Sequence, residues 1–149
     1  MKNRHYFIGS IVLFLVDFVL KQVIRQYLVQ EMIIIPNFFS LYYIENEGAA
    51  FGMLNGARFF FLLISFACLY LLIKELLKAK KPFAFCYMLI IGGLLGNLVD
   101  RLFFGYVIDY LSFTIFQYQA PIFNFADILI VVGIFLLIIQ WMKGEKYDV

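Results

Sequence analysis

The sequence predicts an all-α integral membrane protein with four transmembrane helices and a small β-sheet on its outer face. Three observations lead there. First, 64% of the 149 residues are hydrophobic and only 15% are charged, with a mean hydropathy of +0.92, whereas soluble domains sit near ~45–50% apolar. Second, four apolar stretches approach the ~20 helical residues needed to cross a hydrocarbon layer of ~30 Å. Third, the connection at 24–58 contains IPNFFSLYYIENEG, where Phe38, Leu41, Tyr43 and neighbouring aromatics favour extended structure. No linker or low-complexity segment interrupts the chain, so a single membrane-embedded domain is expected over 1–149.

The spans fall at about 6–23, 59–77, 83–104 and 122–142. The first is read as a retained span, because its apolar run is long for a signal peptide and no small-residue cleavage site follows it. Orientation follows from the basic residues. Lys2 and Arg4, then Lys74, Lys78, Lys80 and Lys81, then Lys143 and Lys146 all fall on one side, against Arg25, Arg58 and Arg101 on the other. By the positive-inside rule both termini and the KAKK turn face the cytoplasm. The second outer connection, about 105–121, is rich in Tyr and Phe, which suit the headgroup layer.

That orientation gathers the intramembrane polar residues at one depth, near the outer face. Asp17 and Lys21 lie in the outer half of the first span, four apart and able to pair. Asn97, Asp100 and Arg101 end the third span, Asn124 and Asp127 open the fourth, and Asp109 lies just beyond the third. Several of these have plain structural readings. Asp17 and Lys21 satisfy each other and tie helices together. Asp100 and Arg101, being adjacent, point to separate partners, with phosphate headgroups open to Arg101. Arg58 reads as a snorkelling anchor, Cys68 and Cys86 as inert packing residues, and His5, at the far end, has no assigned role.

Asp109 and Asp127 have no basic partner three or four residues away. One reading of Asp127 is helix capping. The other is a dyad: a hairpin of the third and fourth spans brings the two carboxylates together, where they share a proton and serve as general base and general acid. The chain has no Ser/His, Cys/His or metal-ligand set, so a hydrolase here is an aspartate one and neither metal nor cofactor is expected. Gly92, Gly93 and Gly96 permit close helix packing or a substrate path. In NEGAAFG (46–52), Gly48 and Gly52 allow tight turns and Asn46 is placed to hold a loop. The net charge of +2 gives no reason to expect nucleic acid. Competing readings are a small transporter using Asp17, Asp100 and Asp127, which predicts polar residues through the full depth, and a non-catalytic assembly factor with carboxylates as helix glue.

The ordered set DFVLK (17–21), NEGAAFG (46–52), GGLLGNLVDR (92–101), VIDY (107–110) and FNFAD (123–127) resembles the lipoprotein signal peptidases, or signal peptidase II, over nearly the whole chain. The resemblance implies an aspartyl endopeptidase of the bacterial cytoplasmic (inner) membrane that removes the signal peptide from prolipoproteins before a diacylglyceryl-modified cysteine. It assigns catalysis to Asp109 and Asp127, and support to Asp17, Lys21, Asn46, Gly48, Asn97, Asp100, Arg101, Asn124 and Ala126. It also implies contact with membrane phospholipids, and a monomer is expected. Tyr110 stands where phenylalanine is common in the family, a departure expected to adjust the pocket edge and leave the chemistry intact.

Overall fold

The structure, a computed structural model, describes residues 3–48 and 57–143. Residues 49–52 of NEGAAFG (including Gly52), Lys2 and Lys146 lie outside the described residues. Four helices form where the apolar runs predict them: α1 (Arg4–Tyr27), α2 (Arg58–Lys78), α3 (Lys81–Phe103) and α4 (Phe125–Met142). At about 1.5 Å per residue they are about 27 to 36 Å long, enough to cross a bilayer core.

Two boundaries depart from expectation. Helix α1 runs on to Tyr27, and α4 starts at Phe125 and not at 122. The second shift has a clear cause. Phe123 exchanges backbone hydrogen bonds with Leu111, accepting at 2.8 Å and donating at 3.2 Å, which holds that stretch extended.

Helix α3 is the hub. Within the protein 67% of its span is buried, against 17%, 22% and 22% for α1, α2 and α4. The other three therefore turn apolar side chains such as Val19, Leu63 and Phe135 outward, as lipid-facing helices require. The glycines of α3 are where neighbours come closest. A Cβ at Gly93 would overlap the Ala126 carbonyl of α4, and one at Gly96 would overlap the Asp17 carboxylate of α1. None of Gly92, Gly93 and Gly96 lines the cavity described below, so packing, and not a substrate path, accounts for them.

The two ends of the bundle differ. At the lysine-rich end, Leu76, Phe83, Ala84 and Ile91 are fully buried around α3. There Asn3, unremarked in the sequence, donates through Nδ2 to the Leu76 and Ala79 carbonyls at 2.7 and 2.8 Å. It satisfies acceptors that the end of α2 leaves free. At the opposite end lies a four-stranded antiparallel sheet, β1 (Met32–Ile35), β2 (Phe39–Asn46), β3 (Val107–Ile115) and β4 (Tyr118–Gln119), paired in that order. The expected sheet in the first outer loop is thus present but incomplete without the second connection. The aromatic segment after α3 supplies β3, an inner strand of the sheet.

Arg58 also differs from its reading as a lipid anchor. Its Nη2 donates to the Leu102 carbonyl at 2.7 Å, covering the end of α3 where Gly105 turns the chain at φ 90°.

Candidate active site

The chemistry sits where α1, α3, α4 and the sheet meet, and each polar side chain is delivered by a separate local device. Strand β2 carries a bulge: Leu41 pairs with Leu111, but Ile44 pairs with Asp109, so β2 has one residue more than β3 across that interval. Such a bulge re-aims the side chains that follow it, and Asn46 then reaches Asp109 Oδ2 with its Nδ2 at 2.8 Å. On the other side of β3, the Leu111–Phe123 bridge carries Asn124 to Asp109, where Asn124 Nδ2 donates to Oδ1 at 2.6 Å.

Asn124 is also the N-cap of α4. Its Oδ1 accepts from Asp127 N at 2.9 Å, and Asp127 Oδ2 accepts from Asn124 N at 3.2 Å, a reciprocal capping box. The capping reading of Asp127 therefore holds for one of its oxygens only. The other, Oδ1, accepts from Asn97 Nδ2 of α3 at 2.8 Å.

Beneath this layer Lys21 is fully buried. Its ammonium has three donors and finds three acceptors: Asp17 Oδ2 at 2.8 Å, Asp100 Oδ2 at 2.9 Å and Asn97 Oδ1 at 2.9 Å. The carboxylates are in turn held by backbone, Asp17 Oδ1 by Ala126 N at 2.9 Å and Asp100 Oδ2 by Ile108 N at 3.2 Å. A buried ion cluster is tolerated where its charges are paired and hydrogen-bonded, because removing one member would strand the others in a low-dielectric interior; Asp100 Oδ1 is left without a partner among the described residues. The expected Asp17–Lys21 pair is present, but as part of a junction among α1, α3, α4 and β3. Asp100 and Arg101 do take separate partners. Arg101 donates through Nη2 to the Gly48 carbonyl at 3.1 Å and lies over the Phe61 ring at 4.8 Å. Gly48 is positioned by its N–H, which donates to Asn46 Oδ1 at 3.0 Å.

Asn46, Gly48, Asn97, Arg101, Asp109 and Asp127 together line one end of a cavity of about 1180 Å³. The rest of its wall is largely apolar, from Ile44 of β2 through Ile122 and Phe123 to Ile128, Val131 and Val132 of α4. None of those apolar residues stood out in the sequence, because a lone Ile or Val in a membrane helix looks the same whether it faces lipid or a cavity. Asp17, Lys21, Asp100, Asn124 and Ala126 lie behind the cavity and not on its surface. Tyr110, expected at the pocket edge, is not among the lining residues and is buried. Its hydroxyl is pushed up to about 12, by burial first and by the negative charge of Asp17 next.

Asp109 is 2% exposed. Burial pushes its carboxyl up from 3.8 to about 6; the hydrogen bond from Asn46 opposes this, and the charge of Asp127 adds to it. Such a group changes charge close to working pH, as a proton-transfer residue must. Among the described residues, every buried charged side chain (Asp17, Lys21, Asp100, Asp109) lies at the sheet end of the bundle. Among them no charged path runs through the full depth, which counts against a transporter.

Fold and site together define a multi-pass membrane protein with a carboxylate-bearing cavity at one end of its helix bundle. The family model described as signal peptidase (SPase) II matches residues 10–143. A lipoprotein signal peptidase of Halothermothrix orenii is 41% identical over 95% of this chain and 97% of its own length. One of Staphylococcus haemolyticus is 34% identical over 98% of each. Among solved structures, a bacterial membrane enzyme determined by the in meso method at 2.3 Å resolution aligns with a TM-score of 0.85 and 29% identity, covering 97% of this chain and 93% of that one. The chain belongs to the signal peptidase II family and is an aspartic peptidase.

Proposed function

We propose that the protein is the endopeptidase that removes the signal peptide from prolipoproteins, cutting before the diacylglyceryl-modified cysteine, with Asp109 and Asp127 as its catalytic dyad. The observation that carries this is their convergence. Two carboxylates from different elements, a strand and a helix start, line the same cavity and are bridged behind by Asn124 and Asn97. The dyad holds one proton between two carboxylates. The ionised member takes a proton from a water as its oxygen attacks the scissile carbonyl, while the protonated member donates to the carbonyl oxygen. The tetrahedral intermediate then collapses: the C–N bond breaks, the proton taken from water passes to the leaving amine, and the proton given to the carbonyl oxygen returns to the carboxylate that donated it.

The apolar wall suits a substrate that keeps acyl chains in the bilayer, and Arg101 and Gly48 border the path of its peptide. Asp17, Lys21, Asp100, Asn124 and Ala126 hold the helices and the sheet in register around the dyad. The protein works as a single domain, as a monomer among phospholipids of the bacterial inner membrane. Its lysine-rich end faces the cytoplasm, where the positive-inside rule directs Lys78, Lys80 and Lys81, so the cavity opens near the outer face.

The test is cleavage of a diacylglyceryl-cysteine precursor peptide by purified protein in detergent, with an unlipidated peptide alongside. Asp109→Asn and Asp127→Asn each lower turnover by ~10²–10⁴-fold, the range of positioned acid–base catalysis, and keep their helical circular dichroism. Undiminished cleavage by either variant removes that residue from the dyad.

A further inference from the structure

Three asparagines surround the dyad, and in each the amide orientation is dictated by a partner that can only donate. Asn97 Oδ1 faces the Lys21 ammonium at 2.9 Å, so its NH₂ must point at Asp127. Asn124 Oδ1 takes the Asp127 N–H, leaving its NH₂ for Asp109 Oδ1 and Asn97 Oδ1. Asn46 Oδ1 takes the Gly48 N–H, leaving its NH₂ for Asp109 Oδ2. No amide can turn over without setting donor against donor.

The two carboxylates are then solvated unequally. Asp109 receives two neutral amides. Asp127, in the first turn of α4 where the helix dipole favours an anion, receives the backbone N–H of the N-cap Asn124 and an amide whose oxygen is bonded to a buried cation. We propose that Lys21 is a positioning residue: by holding the Asn97 amide toward Asp127 it keeps the dyad's negative charge on Asp127 and the shared proton on Asp109. This rests on the dyad reading above. The other charged or titratable groups around Asp127 are Arg101 on α3, which lies beside both carboxylates, Tyr110 and Asp109 on β3, and Glu45 and Glu47 at the cavity wall. Asp17 and Asp100 are paired with Lys21 itself.

The experiment is the pH profile of kcat for cleavage of the lipidated peptide. In Asp17→Asn/Lys21→Met/Asp100→Asn the buried charges go together, and both backbone-held positions keep an acceptor. Its acid limb moves to higher pH by up to about one pH unit: the freed Asn97 amide no longer favours the Asp127 anion, and the net loss of one negative charge with the three side chains opposes that movement. Asn97→Leu cuts the link with the ion cluster intact and moves the same limb the same way, and combining the two sets adds no further movement. An unmoved limb with only a lower Tm means that Lys21 merely ties helices, and additive movements mean that it acts by another route; either overturns the proposal.

A second measurement does not need the triple variant to fold or the enzyme to turn over. Infrared difference spectra of protein carrying ¹³C-carboxyl aspartate show a protonated-carboxyl band that is lost in Asp109→Asn and kept in Asp127→Asn. The reverse pattern overturns the proposal. Failure of the wild type to cleave, by contrast, overturns the dyad and the relay with it.

Discussion

The two ends of this helix bundle are built from the same four helices and held by different forces. At the lysine-rich end, Leu76, Phe83 and Ala84 belong to a largely apolar core, with Asn3 closing the end of α2. At the sheet end, α1, α3 and α4 meet through Asp17, Lys21, Asn97, Asp100 and Asn124, all buried and hydrogen-bonded. In lipid, apolar contact is not driven by release of water, so close packing and buried hydrogen bonds carry helix association. The apolar end can be varied in detail and still pack. The polar end is a set of directional bonds in which each partner fixes the next, and that is what a proton-transfer site requires.

Changing the polar end therefore costs function first. Gly96→Val is the most disruptive change, since the new side chain enters the space of the Asp17 carboxylate and the Ala126 side chain. Overpacking of this kind costs about 1–3 kcal/mol. The displaced junction lowers peptide cleavage by at least ~10²-fold, the loss that accompanies a shift of about 1 Å in catalytic groups. Thermal unfolding in detergent, read beside the cleavage assay, checks both.

Asn124→Ala comes next. It removes the N-cap of α4 and one of the two donors to Asp109. Stability falls by about 1 kcal/mol for the lost cap, and turnover falls by ~10²-fold through misplacement of Asp109 and Asp127, the proposed acid–base pair. Equal losses in cleavage and in folded fraction would reduce Asn124 to a cap.

The third effect is a pH dependence confined to the sheet end. Asp109 titrates higher in the folded protein, near about 6, than its ordinary 3.8, because burial disfavours its charge. A raised carboxyl favours the folded state while protonated. Its contribution is complete below about 4, declines as pH rises toward about 6, and is lost above. Melting temperature measured from pH 4 to pH 7 declines across that window in the wild type, and the decline is reduced in Asp109→Asn.

The smallest effect belongs to the other end. Asn3→Ala leaves the Leu76 and Ala79 carbonyls without their side-chain donor, at a cost of about 0.5–1.5 kcal/mol for each bond. Cleavage by the folded fraction is unchanged. A fall in kcat there would show that the two ends are coupled, against the comparison drawn above.

The spans were legible in the sequence because length and apolarity alone decide what a bilayer accepts. The depth of the polar residues was legible for the same reason, and so was the Asp17–Lys21 pair, which a four-residue spacing on a helix brings together. Strand β3 was not read as a strand, although VIDYLSFTI is rich in β-branched and aromatic residues. Asn3 offered no signal at all, since its two acceptors lie more than seventy positions away.

By itself, then, the sequence determined a four-span membrane protein with the ionisable residues of its spans gathered at one depth, apart from the basic set at the lysine-rich end, because hydropathy and helical spacing are local properties of the chain. Only the tertiary structure decided which of those residues meet. Lys21 reaches Asp100, Asn46 reaches Asp109 and Asn97 reaches Asp127 across separations of 30 residues or more. Those meetings depend on a strand bulge, a single β-bridge and the glycines that let three helices close on one another, and the fit between distant surfaces is written in no one segment.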